Sequence, residues 1–446
     1  MAVARLGSVL VPRLRTLVCA PGAIAAVALL VRLLYLWHFF AAQLAAGASR
    51  YFPLYEVVCV ARSLAEGHGF ASPLPAASGP TAMVTPAFPF LLAAIFKLFG
   101  SLSLASSVAV RILDVTFSAL TCLPIAAIGR RLYGQGVGAL AAWIWALLPS
   151  SIFYSVVWIW DTTLSALLLT AALAITYWVA EREDMKSWSG LGLVFAAGTL
   201  VNSAILPVVP GCLAFAAYRA RKRGISWLRT AGIGVVTFCA ALAPWVIRNE
   251  IVFRGQVFLR SNFGLELWLG NNPQVPISCA CWLHPSHQPE ERTRFLALGE
   301  VAYMQEKQRQ AVDFIRSHPA ATSRLVFHRF METWTGFTDS FADIWAGGNV
   351  SLRASLLLNY SFTLLSLAGL LLARRASAVL SLPLLNLMLV FPVVYYVCHT
   401  DPRYRQPIEP VMAVLTAFAL ARAFGAVQSR LSLRQHKQWT EDLPAV

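Results

Sequence analysis

Long apolar runs alternate with short basic clusters from one end of the chain to the other. An α-helix needs roughly 20 apolar residues to cross about 30 Å of hydrocarbon. Helical spans are predicted near residues 17–40, 108–128, 137–154, 162–180, 188–202, 204–218, 230–247, 354–373, 377–397 and 407–424. Repeated apolar helices, with no alternating strand pattern between them, give the expected class: an all-α polytopic membrane protein with about ten transmembrane helices. Asn202 and Pro207 make the 188–218 pair the least regular. The first run, Thr16 to Phe40, is too long for a cleaved secretory signal and leads into a loop, so it reads as the first span.

Short cytoplasmic loops are enriched in Lys and Arg, so the basic clusters predict the orientation. Arg5, Arg13 and Arg15 precede the first span, Arg130 and Arg131 follow the second, and Arg219, Arg221, Lys222 and Arg223 follow the 204–218 segment. Arg374 and Arg375, then Arg422, Arg430, Arg434 and Lys437, extend the pattern, which places both termini in the cytoplasm. For Arg15 and Arg130 to share a side, Pro86 to Phe99 must not cross; that short, proline-led segment suits a juxtamembrane helix. The expected organisation is a membrane module (1–247) with an outer loop at 41–107, an extracytoplasmic lobe (248–353), and C-terminal helices with a cytoplasmic tail (354–446). Within the lobe, Pro289 to His318 reads as polar helix, with Glu290, Glu291, Glu300, Glu306 and Lys307.

Composition excludes a soluble class: 58% of the 446 residues are hydrophobic and 13% charged, with a mean hydropathy of +0.63. The net charge of +15 sits in loop clusters and not on one soluble face, so nucleic acid is not an expected partner. Of eight cysteines, Cys19, Cys122, Cys212, Cys239 and Cys398 fall in or beside apolar spans as small packing residues. Cys279 and Cys281 lie in the outer lobe, where a disulfide is permitted, although a bridge between them closes a very short ring. Neither a zinc spacing nor a glycine-rich phosphate loop after a strand is visible, and no internal repeat marks a transporter built from two halves.

Acids are scarce, 21 in all, so those at the outer surface are weighed singly. Glu56 opens an amphipathic helix after the first span; it is either a general base toward an acceptor hydroxyl or amine, or a solvated helix residue near Arg62. Asp161, in Trp160-Asp161-Thr162-Thr163, is either a sugar-binding acid or a helix N-cap, with Trp158 and Trp160 an interfacial belt or a sugar platform. Outer basic residues fall outside the positive-inside tendency. Arg248, Arg254 and Arg260 begin the lobe, and Arg403 and Arg405 stand before the last span; guanidinium groups there suit a phosphate ester, or snorkel to ordinary headgroups. A transporter or flippase of lipid-linked sugars is the rival class and needs ionisable residues within spans, for which Arg32 and Asp114 are the candidates.

The stretch Ala61-Arg62-Ser63-Leu64-Ala65-Glu66-Gly67-His68-Gly69-Phe70, with Gly79-Pro80-Thr81-Ala82, Pro86 to Ala93 and Lys97-Leu98-Phe99-Gly100, resembles the GT-C superfamily of membrane glycosyltransferases. The likeness is to bacterial relatives of protein O-mannosyltransferases and of the aminoarabinose transferase that modifies lipid A. Gly129-Arg130-Arg131-Leu132-Tyr133-Gly134, Trp160-Asp161, Pro244-Trp245 with Arg248-Asn249, and Arg403-Tyr404-Arg405 extend it, and it thins over 275–350. The resemblance implies inverting transfer of sugar from a polyprenyl-phosphate donor to a lipid, glycan or protein acceptor on the non-cytoplasmic face. Glu56 and Asp161 then become the catalytic candidates, and Lys97, Arg260, Arg403 and Arg405 the donor-phosphate ligands. Tyr55, His68 and Arg248 are the candidates for substrate contact. Relatives often carry a second acid beside the first; Leu54-Tyr55-Glu56 does not, which gives no support to a metal cofactor. Phe88, Phe90 and Phe96 are expected to line a prenyl groove.

Overall fold

The computed structural model describes residues 19–47, 51–336, 345–347 and 350–441, with side chains described as far as residue 425. Arg5, Arg13 and Arg15, and the side chains of Arg430, Arg434 and Lys437, lie outside the described residues. Among the described residues the chain is helical with no strand; two isolated bridges, Ala71 with Pro80 and Leu74 with Ala76, shape the loop after Glu56–Ala65.

Among the described residues six helices are long and apolar enough to cross a membrane: Pro21–Ala45, Leu104–Tyr133, Thr162–Val179, Ser203–Lys222, Trp227–Phe253 and Val350–Ala376. Gln135–Leu147 and Pro149–Val157 make a seventh if they are one span bent by 48°. Pro149 removes a backbone donor at that break. Leu382–Val397 is shorter and broken, and Met185–Val201 has 17 residues. Pro392 stands at the break in the former, and Asn202 ends the latter in extended backbone. The ten predicted segments are thus all helical in part, while length and composition support six or seven as spans.

The main core lies among these helices, with Trp145, Trp188, Phe195 and Phe391 fully buried. Arg32 is buried in it with all five of its N–H donors engaged: Nε with Ser118, Nη1 with the Ala28 and Ala146 carbonyls, Nη2 with the Trp145 carbonyl and Ser151. It staples its own helix to three others and offers nothing to a transported ion. Arg111 likewise gives its Nε to the Val156 carbonyl and its Nη1 to Ser107.

Two smaller cores shape the site. The loop helices Glu56–Ala65 and Ala87–Phe99 bury Val57, Val60, Leu92 and Phe96 against each other. Phe88 and Phe96 are each 1% exposed, so they are packing residues and only Phe90 is free to meet a prenyl chain. The lobe core joins Leu265, Trp268, Phe295 and Tyr303. Its polar stretch is two helices, Pro289–Leu298 and Glu300–Ser317, parted by Gly299 at a positive φ of 76°. The lobe also buries Lys307, whose Nζ meets Glu291 at 2.7 Å and sits 3.6 Å over the Trp268 ring.

Candidate active site

A cavity of about 360 Å³ opens where the start of the lobe meets the ends of the spans. Its wall includes Trp160, Asp161, Arg260, Glu266, His399 and Tyr404. Three segments far apart in sequence supply these side chains, and each is fixed by local chemistry.

Asp161 stands at the N-cap position of Thr162–Val179 but its side chain caps nothing, and Oδ1 is buried without a hydrogen-bond partner. The capping role therefore does not apply. Burial pushes this carboxyl up to about 7 from 3.8, against the pull of Arg260 and Arg403. Arg260 is held by its Nε donating 3.0 Å to the Met83 carbonyl.

Glu266 is the only acid in the apolar helix Phe263–Gly270. It accepts from Asn262 Nδ2 at 2.5 Å and meets His399 Nε2 at 2.6 Å. Burial alone would raise its carboxyl; the His399 hydrogen bond and charge, with Arg260 and His284, outweigh that and bring it down to about 2. Its side chain is nonetheless 30% exposed, into the cavity. Two glycines allow this helix to sit so close. A Cβ on Gly264 would overlap the Met304 carbonyl, and one on Gly270 the Cys398 carbonyl next to His399. His399 Nδ1 is buried without a partner.

Arg403 follows in Asp401–Arg405. Its guanidinium lies over the rings of Trp158 (4.3 Å), Trp160 (5.0 Å) and Tyr404 (5.3 Å), with Asp401 3.5 Å from Nε. Nε and Nη1 are buried without hydrogen-bond partners. A planar cation stacked on rings with idle N–H groups is prepared for an anion in that plane.

Glu56 lies at the neighbouring edge. It accepts from Ser286 Oγ at 3.0 Å and has His284 Nε2 3.4 Å away, so the lobe reaches over the loop helix. Its pairing is thus with the lobe, while Arg62 pairs with Glu66 at 2.7 Å. Tyr55 stacks on Trp158 at 5.8 Å and borders a second hollow, of about 690 Å³, with Ser286 and His287. Tyr55 therefore connects the two hollows through the aromatic wall that also carries Arg403.

Four predicted residues are not in this gathering. Arg405 is fully buried and spoken for: Nε and Nη2 meet Glu409 Oε1 at 3.0 and 2.9 Å, Nη1 reaches the Trp334 carbonyl, and Nη2 reaches Asn359. It is a packing ion pair and not a phosphate ligand. Arg248 donates to the Thr81 and Phe70 carbonyls and to Asn249, pinning the loop 66–86 to Trp227–Phe253. His68 is exposed in a turn beside Glu66. Lys97 is exposed in the last turn of Ala87–Phe99 and does not line the cavity. Sequence reasoning missed Glu266, His284 and His399; a lone acid inside an apolar octapeptide was the available signal for the first.

Cys279 and Cys281 are joined in a disulfide. Together with His399 they form the one group of three His, Cys, Asp or Glu donors within 4.8 Å of one another among the described residues. The disulfide removes both thiolates from that set, so it does not suit a metal.

The raised Asp161 carboxyl gives a pH signature. The folded state binds this proton more tightly than the unfolded chain, so the stability it contributes is complete below pH about 4 and is lost as pH rises through about 7. Glu266, shifted the other way, acts only below its ordinary value of 4.5. Asp161→Asn should therefore flatten the fall in thermal midpoint between pH 5 and 8, measured in detergent at a series of pH values; an unchanged slope contradicts the assignment.

Residues 83–247 match the family model described as dolichyl-phosphate-mannose-protein mannosyltransferase. No curated protein sequence matches the chain significantly. Among solved structures, the apo oligosaccharyltransferase of Archaeoglobus fulgidus shares 14% identity at a TM-score of 0.53, over 93% of this chain and 51% of that one. The archaeal oligosaccharyltransferase AglB of the same organism, in complex with an inhibitory peptide and a dolichol-phosphate, shares 14% identity at a TM-score of 0.51, over 96% and 52%. ArnT from Cupriavidus metallidurans bound to undecaprenyl phosphate gives 14% identity at a TM-score of 0.36, over 84% and 73%. The chain spans about half the length of the oligosaccharyltransferases, at 51% and 52%. The family match over residues 83–247 bears out the resemblance to GT-C membrane glycosyltransferases, and the archaeal structures share the helical fold.

Proposed function

We propose that the chain is a GT-C glycosyltransferase that moves a hexosyl or pentosyl group from a polyprenyl-phosphate donor to an acceptor hydroxyl or amine by one inverting displacement. The observation that carries this reading is the meeting, at one cavity, of Asp161 with its unpartnered Oδ1, the ion-paired Glu266 and Arg260, with Arg403 stacked on Trp160 of the cavity wall. Buried polar groups without partners call for a ligand that satisfies them. A sugar phosphate offers hydroxyls to the acids and phosphate oxygens to the guanidinium groups, and Trp160 and Tyr404 give flat apolar faces for a ring. The matched family model, named for a dolichyl-phosphate sugar, points to the same donor class.

In this mechanism Glu56 takes the acceptor proton as the acceptor oxygen or nitrogen attacks the sugar C1. The C1–O bond to phosphate breaks, and polyprenyl phosphate leaves with its electron pair. Arg403 and Arg260 hold the charge that grows on the departing phosphate. Asp161 and Glu266 hold sugar hydroxyls, Tyr55 stands on the acceptor side, and Ser286 and His284 orient Glu56. The acceptor is a lipid, glycan or protein.

The topology that serves this chemistry has ten crossings, both termini in the cytoplasm, and the cavity facing the periplasm or exterior. Residues 1–247 form the catalytic module, 248–353 the lobe that closes over it, and 354–446 the closing helices and tail. The test is to add donors to the outer leaflet of proteoliposomes: sugar transfer with release of polyprenyl phosphate supports the reading. Transbilayer movement of intact donor, without release, refutes it.

A further inference from the structure

The helix Thr162–Val179 starts at the cavity and runs 18 residues, about 27 Å, so the loops beyond it form the opposite end of the bundle. There Glu181 collects three arginines from the ends of two other helices. Arg131 and Arg223 pair with it directly, the latter at 2.8 Å, and Arg219 stands 3.8 Å away. Three guanidinium groups carry about fifteen N–H donors, whereas one carboxylate has about four acceptor positions. One carboxylate therefore cannot satisfy most of those donors.

The cluster borders a hollow of about 290 Å³ that does not belong to the site above. Arg131, Arg219 and Glu181 form its charged rim; Leu132, Phe215 and Leu380 form its apolar wall. Arg131, Arg219 and Glu181 each keep about a third of their side-chain surface exposed (33%, 29% and 35%). Nearby, Arg182 lies 3.9 Å over Trp178, and Lys222 lies 5.8 Å over Tyr218, a cation and aromatic pairing of the kind found at a membrane surface. The positive-inside tendency accounts for basic loops. It does not require arginines from the ends of separate helices to converge on one acid beside a half-apolar hollow.

We propose that this hollow binds the phosphate of an anionic membrane phospholipid, with the guanidinium groups of Arg131 and Arg219 on the phosphate and the apolar wall against the start of the acyl chains. Two arginines in excess over one carboxylate suit a singly charged diester, and basic pockets between membrane helices hold such headgroups. Gly134, at a φ of 98°, turns the chain tightly after Arg130 and Arg131, fixing Arg131 on the rim. The Arg130-Arg131 motif, unused by the transfer chemistry, gains a role here.

The test uses the full chain in nanodiscs of equimolar phosphatidylcholine and phosphatidylglycerol, with retained lipids read by native mass spectrometry. Phosphatidylglycerol should be retained over phosphatidylcholine. The double variant Arg131→Gln, Arg219→Gln should lower that preference about tenfold or more. Glu181→Gln, which frees the arginines from their competitor, should raise it, and this arm tests the site even if the double variant does not fold. Equal retention of the two lipids, or a preference unchanged in both variants, overturns the proposal. Inorganic phosphate should leave the bound lipid in place; its displacing the lipid would overturn the headgroup assignment in favour of a free-phosphate site.

Discussion

Glu56→Gln is expected to lower sugar transfer by about 10²- to 10⁴-fold while leaving the fold and donor affinity intact. Glutamine keeps the shape of the side chain and a carbonyl oxygen that can accept from Ser286, now 3.0 Å from Glu56 Oε1. What it loses is the ability to take a proton from the acceptor. Alanine would be a poorer test, because it would also release the lobe contact that Ser286 makes. The measurement is single-turnover transfer in lipid alongside donor binding. Near-normal turnover would remove Glu56 from the mechanism, and lost donor binding would make it a structural residue of the lobe interface.

Arg403→Ala should cost about 10²- to 10³-fold in transfer, because the idle Nε and Nη1 groups are those assigned to the leaving phosphate. Arg403→Lys should recover only part of this, since an ammonium cannot reproduce a planar fork stacked on Trp158 and Trp160. Arg405→Ala is the informative contrast. It breaks a pair in which both side chains are 1% exposed, so it should destabilise the protein by roughly 3–5 kcal/mol and leave donor affinity per folded molecule unchanged. Thermal unfolding and donor titration on both variants separate the two arginines. Equal loss of donor affinity in both would contradict the division of labour.

That division shows where sequence reading stopped. Hydropathy located the apolar helices of the membrane module, because the need to satisfy backbone groups in hydrocarbon leaves a strong local signature, but not Phe263–Gly270 or Pro319–Thr335. It did not reveal where Pro149, Pro392 and Asn202 break or end helices, since apolar content alone does not report continuity. Arg403 and Arg405 were indistinguishable in sequence, two residues apart in one motif. A short 3-10 turn, Pro402–Arg405, sends the first toward the tryptophans and the second toward Glu409. The same limit applied to Arg248, whose partners are loop carbonyls at Phe70 and Thr81. Glu56 and Asp161 were legible as rare acids beside predicted outer span ends. Glu266, His284 and His399 became visible only when folding brought residues 56, 161, 266, 284 and 399 to one place.

The most direct test of the central claim is release of free polyprenyl phosphate from a polyprenyl-phosphate sugar by the purified chain in liposomes, with and without acceptor. Release that depends on the chain and is lost in Arg403→Ala is the predicted result. No release from any of a panel of such donors, by protein shown to be folded, would contradict the account.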